Sequence, residues 1–469
     1  MTPDRPRAAA LLFAFLASVI AVKSYLDVDN DLFFHLVEGE RIVTQGRMPL
    51  SEDLSFTAAG TPMVATEWLG QAVIHLVFRL AGYHGLVAFH TTPVTAALFL
   101  LWLTLEGAPY GARLFLLALT AMGLAGFYSV RIHYYTFLFF SAFLYWTRRW
   151  EDGASWAPWA MAGALLPWAN THGGFMAGWL VLAAVCGLDL WKSRSARSLL
   201  PLAVGTLACC LHPSGFKAFV YPVWFLFQAP PGRSLIMEWK PVDFTEKAAL
   251  AWLAMIACLA WAGVGSVKTR FPWHLLTLGL LAEAVRGRKL IPLFLFAAAA
   301  TLGLRSRAAS LRPWQEKGLR AGGLATLLCL GWVVLARARS LPFPDPAAAW
   351  ERGFPKAAVE LVGRRYQGRR LFHTYGWGGY LIYKLSPATK VFIDGRLEPF
   401  WELLAKDYKT INEGGPGWRD LMKKHDIEVV LIQPTSMLAH LLAADPGWKP
   451  VYSDRMSILF SRADVAPSP

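Results

Sequence analysis

Three carboxylates crowd the stretch "DVDNDLFFHLVEG" at residues 27–39: Asp27, Asp29 and Asp31, with His35 four positions after Asp31. Residues four apart share a helix face, so a helical reading of this stretch turns Asp31 and His35 the same way. Partly solvated carboxylates stay ionised and serve as a general base or as ligands of a hard divalent cation such as Mg2+ or Mn2+. Asp27, Asp29 and Asp31 are all candidates for either role. No EF-hand spacing is present, and acids near a helix N-terminus also have a purely structural explanation. The apolar frame "LFFHL" argues against a merely solvated stretch. So does a second polar group, "SEDLSFTAAGTPMVATEWL", in which Glu67 precedes Trp68.

More polar residues border apolar runs. "SVRIHYY" supplies Arg131 and His133, "WANTHGGF" supplies Asn170 and His172, and "LHPSGFKAFVYP" supplies His212 and Lys217. "IMEWKPVDF" carries Glu238 and Trp239, and "EAVRGRKLIP" carries Arg286, Arg288 and Lys289. Polar groups at membrane depth are expensive, and they line a cavity or pair with one another. Each alone has an ordinary structural reading. Together they suit a lipid-linked phosphate: cations take the phosphate, an acid activates an acceptor hydroxyl, and Trp68 and Trp239 stack on a sugar face.

The elements that must position these residues are membrane helices. The chain has 469 residues, 55% hydrophobic and only 17% charged, where soluble domains carry about 25% charged residues. The net charge of +14 lies largely in short loops between apolar runs, as cytoplasmic loops require, so it does not point to nucleic acid. All five cysteines (Cys186, Cys209, Cys210, Cys258, Cys329) sit in apolar runs and indicate neither a disulfide framework nor a metal site. Residues 8–22 follow Arg5 and Arg7 and lack a small-x-small cleavage site, so they read as a retained first membrane helix.

Apolar segments predict about eleven spans near 8–25, 84–106, 111–129, 132–148, 155–170, 173–191, 197–212, 246–266, 271–286, 289–305 and 319–337. Residues 68–83 read as an amphipathic interfacial helix, and 216–229 as a Pro-broken interfacial or re-entrant one. Arg5 and Arg7 place the start in the cytoplasm, and the acidic loop 26–67 then falls outside. Arg131 and Arg286–Lys289 emerge on that outer side, as anion ligands or as snorkelling helix-end cations. Beyond "SLPFPDP" come short β-type runs, "RRLFHTY", "KVFID", "EVVLIQP", "KPVYS" and "SILFS", separated by helical stretches at 346–364, 397–410 and 416–425. The expectation is a mainly α, polytopic helical membrane protein with a small C-terminal α/β extracytoplasmic domain. Its domains are a transmembrane domain over 1–338, including the first external loop 26–67, and an α/β domain over 339–469.

The stretch "DNDLFFHLVEGERIVTQGRMPLSEDLSFTAAGTPMVATEWL" resembles bacterial membrane proteins of the C-type (GT-C) glycosyltransferase superfamily that carry a first-loop D-x-D and an E-W-L pattern. The tail "YGWGGYLIYKL…KVFIDGRLEPF" is similar to the C-terminal region of the same group. The resemblance implies that Asp29 and Asp31 match the paired first-loop acids, with Asp31 the first choice for catalytic base, and that His35 matches the group's histidine. Phe33–Phe34 replace two tryptophans, and Arg288–Lys289 replace Arg-Asn, which retains a phosphate-binding cation. The implied function is transfer of a hexosyl or pentosyl group from a polyprenyl-phosphate-linked donor to a glycan, lipid or protein acceptor. It would take place at the extracytoplasmic face of the bacterial inner membrane, in cell-envelope glycosylation. The implied substrate-binding set is His35, Glu67, Trp68, Arg131, His133, Asn170, His172, Glu238, Trp239, Arg288 and Lys289. A Mg2+ or Mn2+ ion on Asp29 and Asp31 is optional on this reading. The competing readings are a lipid or solute transporter, for which no inverted repeat or paired broken helices are evident, and a non-catalytic glycan-binding assembly subunit.

Overall fold

A computed structural model describes residues 4–228, 236–245, 249–262, 269–308, 311–342, 344–396 and 398–467. The chain divides into two compact units, each taken here by itself. One comprises Met1–Asp27, Ala81–Trp224 and Met237–Ala347; the other comprises Val28–Leu80, Phe225–Ile236 and Ala348–Pro469.

The first unit is helical. Each of the eleven predicted segments coincides with a helix, from Asp4–Leu26 through Tyr110–Gly123 and Tyr134–Glu151 to Pro313–Ala338; the ends of the 246–266 segment lie outside the described residues. Among the described residues, five helices are long and apolar enough to cross a membrane: Pro6–Leu26, Trp68–Thr104, Phe175–Ser193, Arg288–Arg307 and Pro313–Ala338. Three shorter apolar helices accompany them. Burial separates their positions. The most apolar window of Arg288–Arg307 is 78% buried, whereas those of Pro6–Leu26 and Pro313–Ala338 are 28% buried. The former is central, with Ala297, Ala298, Ala299 and Ala300 allowing close helix packing. The latter expose Leu11, Leu328 and Trp332, faces that suit lipid rather than water. The chain is an integral membrane protein.

The second unit joins the first-loop segment to the C-terminal residues. Its sheet has the order β1 (Leu371–His373), β2 (Val429–Ile432), β4 (Ile458–Arg462), β3 (Trp448–Ser453), with β1 parallel to β2 and the other pairs antiparallel. Side chains on a strand alternate between faces. Leu371, Val429, Leu431 and Leu459 enter one core, while Phe372, Val430, Ile432 and Phe460 enter another. Both faces are therefore covered, and β2 is wholly buried. β3 is an edge strand with exposed Lys449 and Pro450, which blunt further pairing.

Four of the five predicted β runs are strands. "KVFID" instead makes single parallel bridges through Val391, one to Leu371 and one to Ser55 of the first loop. The Val391 N–H donates to the Leu54 carbonyl, the Phe56 N–H to the Val391 carbonyl, and Thr57 Oγ1 to the Phe392 carbonyl. This backbone pairing is why residues 28–80 cluster with 348–469 and not with the helices, whereas the sequence reading had kept the first loop in the 1–338 domain.

The helix Trp68–Thr104 contains a break at Ala81 (φ −142°) and Gly82 (φ 58°, ψ −154°), which ends the predicted amphipathic segment 68–83. Gly82 lies in a region of backbone space that side-chain-bearing residues avoid. A Cβ there would meet no neighbour within 4 Å, so the cost of adding one is backbone strain alone. Gly82→Ala should destabilise the protein by about 1–3 kcal/mol, read as a lowered thermal midpoint in detergent. An unchanged midpoint would refute this account of the break.

Candidate active site

The acidic stretch forms the start of a helix, Asp31–Gln45, henceforth the first-loop helix. The Asp29 carboxylate accepts the Asp31 backbone N–H at 2.9 Å, which satisfies one of the donors a helix start leaves unpaired. Asp31 opens the helix, and His35 and Glu38 follow one and two turns on along one stripe. The face beside it is apolar. Phe33 is fully buried among Trp350, Phe354, Tyr380 and Tyr383, with ring centroids 4.8–5.6 Å apart. The Phe-for-Trp exchange thus leaves aromatic anchoring in place.

His35 is buried, and its Nδ1 lies 3.2 Å from the Gln71 side-chain nitrogen. Nε2 lies 3.8 Å from the Glu67 carboxylate. The two helices bearing these groups touch at Gly39, where any Cβ would collide with the Gln71 carbonyl oxygen. Asp31, His35, Glu67 and Trp68 therefore belong to one pair of packed segments within this unit, and Gln71, read from the sequence only as part of an amphipathic face, belongs with them.

The motif "FIDGR" lies in a turn that packs against the same helix. The Arg396 side chain is 5% exposed and meets three carboxylates: Asp394 at 2.6 Å, Glu52 at 2.7 Å and Glu38 at 3.1 Å. Those carboxylates are 0–4% exposed. Asp394 binds the guanidinium through both oxygens, the fork geometry that makes such pairs strong. Arg41 adds pairs with Asp53 at 2.7 Å and Glu38 at 3.8 Å. Burial pushes the Glu38 and Glu52 carboxyls up, with Arg396 opposing it. Burial alone would lower the Arg396 guanidinium, but Asp394, Glu52 and Glu38 hold it above its usual range. Glu398, next along, accepts the Val64 N–H at 3.0 Å, and burial raises its carboxyl to about 7.

In the other unit Arg288 and Lys289 lie in one short turn, and Arg131 lies outside it, before the helix Tyr134–Glu151. Arg131 is ion-paired to Glu238. Lys289 Nζ lies 5.1 Å from the centre of the Trp239 ring, within cation–π range. The Arg288 N–H donates to the Lys240 carbonyl and its Nε to the Pro241 carbonyl. The 3-10 turns Met237–Trp239 and Arg288–Leu290 are thereby joined, bringing together Arg131, Glu238, Trp239, Arg288 and Lys289. His133 stands at the start of Tyr134–Glu151, its Nε2 3.1 Å from the Phe127 carbonyl.

Asn170 and His172 lie at the end of the helix Ala157–Thr171. Asn170 Nδ2 donates to the Leu166 and Leu211 carbonyls. His172 Nδ1 accepts from the Gly174 N–H and from Thr136, whose oxygen accepts from the Trp168 indole. These bonds tie helix ends together. For Mg2+ or Mn2+, no group of three or more His, Cys, Asp or Glu side chains that could hold a metal occurs among the described residues.

No protein-family model matches the chain, and no curated protein matches it in sequence. Solved structures do. ArnT from Cupriavidus metallidurans bound to undecaprenyl phosphate is 10% identical with a TM-score of 0.56, over 98% of this chain and 99% of that one. The archaeal oligosaccharyltransferase AglB from Archaeoglobus fulgidus, in complex with an inhibitory peptide and a dolichol-phosphate, is 10% identical with a TM-score of 0.54, over 90% and 69%. The arabinofuranosyltransferase AftD from Mycobacteria is 14% identical with a TM-score of 0.50, over 96% of this chain and 41% of that one. At such identities the likeness is one of fold alone.

Two measurements probe the buried charges. Arg396→Met leaves three buried carboxylates without their shared cation and should cost about 3–5 kcal/mol, read as a drop in thermal midpoint. For Glu398 the folded-state pKa lies above its ordinary 4.5. Its stabilising contribution is therefore present below pH 4.5 and lost as pH rises through about 7. Glu398→Gln should flatten the fall in stability across that window, and an unchanged pH profile would contradict the assignment.

Proposed function

We propose that the protein is an integral membrane glycosyltransferase that moves a sugar from a polyprenyl-phosphate-linked donor to an acceptor hydroxyl at the extracytoplasmic face. The observation that carries this reading is the fold shared end to end with ArnT bound to undecaprenyl phosphate, in a chain whose first-loop helix starts at Asp31, two residues after Asp29. The sugar remains open between hexosyl and pentosyl, and the acceptor between glycan, lipid and protein.

Asp31 acts as the base that orients and deprotonates the acceptor hydroxyl. Asp29, whose carboxylate takes the Asp31 backbone N–H, sets the helix start that presents it. Glu67 and Trp68, beside His35, hold sugar hydroxyls and a sugar face. In the helical unit, Arg288 and Lys289 steady the departing phosphate, with Arg131 held in place by Glu238 and Trp239 flanked by Lys289. His133, Asn170 and His172 support that region through the helix-end bonds described above. Phosphate is a good leaving group, so positioning and charge neutralisation supply most of what transfer needs.

A divalent Mg2+ or Mn2+ ion is optional on this reading and would be held by Asp29 and Asp31. Two carboxylates suit a hard cation whose remaining ligands are substrate phosphate and water.

The test uses membranes containing the protein and a panel of undecaprenyl-phosphate-linked hexoses and pentoses, with released undecaprenyl phosphate as the readout. Asp31→Asn should reduce release by at least about 10²-fold at unchanged membrane insertion. Lys289→Ala should raise KM for the donor by about tenfold, as expected for loss of one charge-assisted contact. Unchanged release by Asp31→Asn would remove the base assignment, and donor uptake into vesicles without covalent transfer would favour a transporter.

A further inference from the structure

We infer that Gly395 and Arg396 are positioning residues that set the Asp31 carboxylate, making the turn at 394–396 part of the apparatus that aims it. The inference rests on the proposed role of Asp31 and adds to it.

Gly395 is the first observation. A Cβ built at this position would collide with Asp31 Oδ1, and would also lie 3.0 Å from Asp31 Cγ and 3.3 Å from Phe34 Cε1. Gly395 is not among the glycines with left-handed backbone, so the backbone does not demand glycine here. The space taken by the Asp31 carboxylate does. The turn is thus a backbone wall on one side of that side chain.

Arg396 is the second. The wall has meaning only if its distance from the first-loop helix is held. Arg396 holds it through Glu38, seven residues after Asp31 on the same helix stripe, and through Glu52 of the first loop. Asp394 grips the guanidinium from within the turn. The tail's other glycines press on the same helix start: Cβ atoms at Gly376 and Gly379 would meet Asn30. Packing this close transmits a displacement instead of absorbing it.

Gly395→Ala therefore moves the Asp31 carboxylate without touching a charge, and Arg396→Lys keeps a charge but loses the bidentate fork. Both are to be compared with Asp31→Asn and with Gly363→Ala, a control in the helix Lys356–Arg365 whose Cβ would meet only the end of the Leu385 side chain. The assay measures kcat and KM on membranes with the same undecaprenyl-phosphate-linked sugars, alongside the thermal midpoint. Gly395→Ala should lower kcat by about 10²-fold, the cost of a misplaced reacting group, with donor KM within about twofold and the midpoint close to that of Gly363→Ala. Arg396→Lys should lower kcat by about tenfold. Wild-type kcat in Gly395→Ala overturns the inference. If Gly395→Ala also lowers the midpoint, wild-type kcat in Arg396→Lys overturns it. The two readings separate cleanly: activity surviving in Asp31→Asn removes the role of Asp31 itself, whereas activity lost there but intact in both Gly395→Ala and Arg396→Lys removes the positioning alone.

Discussion

The buried guanidinium of Arg396 is the constraint on which the sheet-bearing unit depends. It satisfies carboxylates from three places in the chain: Glu38 in the first-loop helix, Glu52 in the loop after it, and Asp394 in its own turn. A buried ion cluster of this kind is weak evidence for stability, because desolvation offsets much of the attraction. Its geometric consequence is firmer. Each carboxylate is expensive to bury without the shared cation, so the arrangement in which all three reach it excludes registers in which any one does not.

Around that cluster the packing is apolar and close. Phe33 enters an aromatic cage from the C-terminal residues, and residues 54–57 pair with the backbone at 391–392. Glycines at 376, 379 and 395 let the tail approach the helix start at Asn30 and Asp31. Hydrogen bonds, rings and charges thus act on one short helix. It carries both the proposed base and the histidine that contacts Gln71 and Glu67.

The helical unit solves a different problem. Its lipid-facing helices need no polar partners, yet its turns at 237–239 and 288–290 gather cations. The Arg131–Glu238 pair neutralises one of them, and Trp239 covers Lys289. Asn170 and His172 looked similar in sequence, being polar residues at helix boundaries. Their hydrogen bonds hold helix ends together, because a helix that ends near apolar surroundings must satisfy its last polar groups locally.

Local pattern alone was enough to place the helices and four of the five β runs. Apolar run length, period-two alternation and residue type are properties of short windows, so a linear reading captures them. The failure of "KVFID" to extend and the allegiance of residues 28–80 to the C-terminal sheet are different in kind. They depend on partners far away in the chain. Arg396 is the clearest case: it bonds Glu38 across 358 residues, and nothing beside "FIDGR" signals that its charge is to be buried. A loop with many acids and few bases hints that a cation must come from elsewhere. Which cation comes, and that it brings Gly395 against Asp31, is decided only when the tertiary fold makes an unpaired buried charge too costly to tolerate.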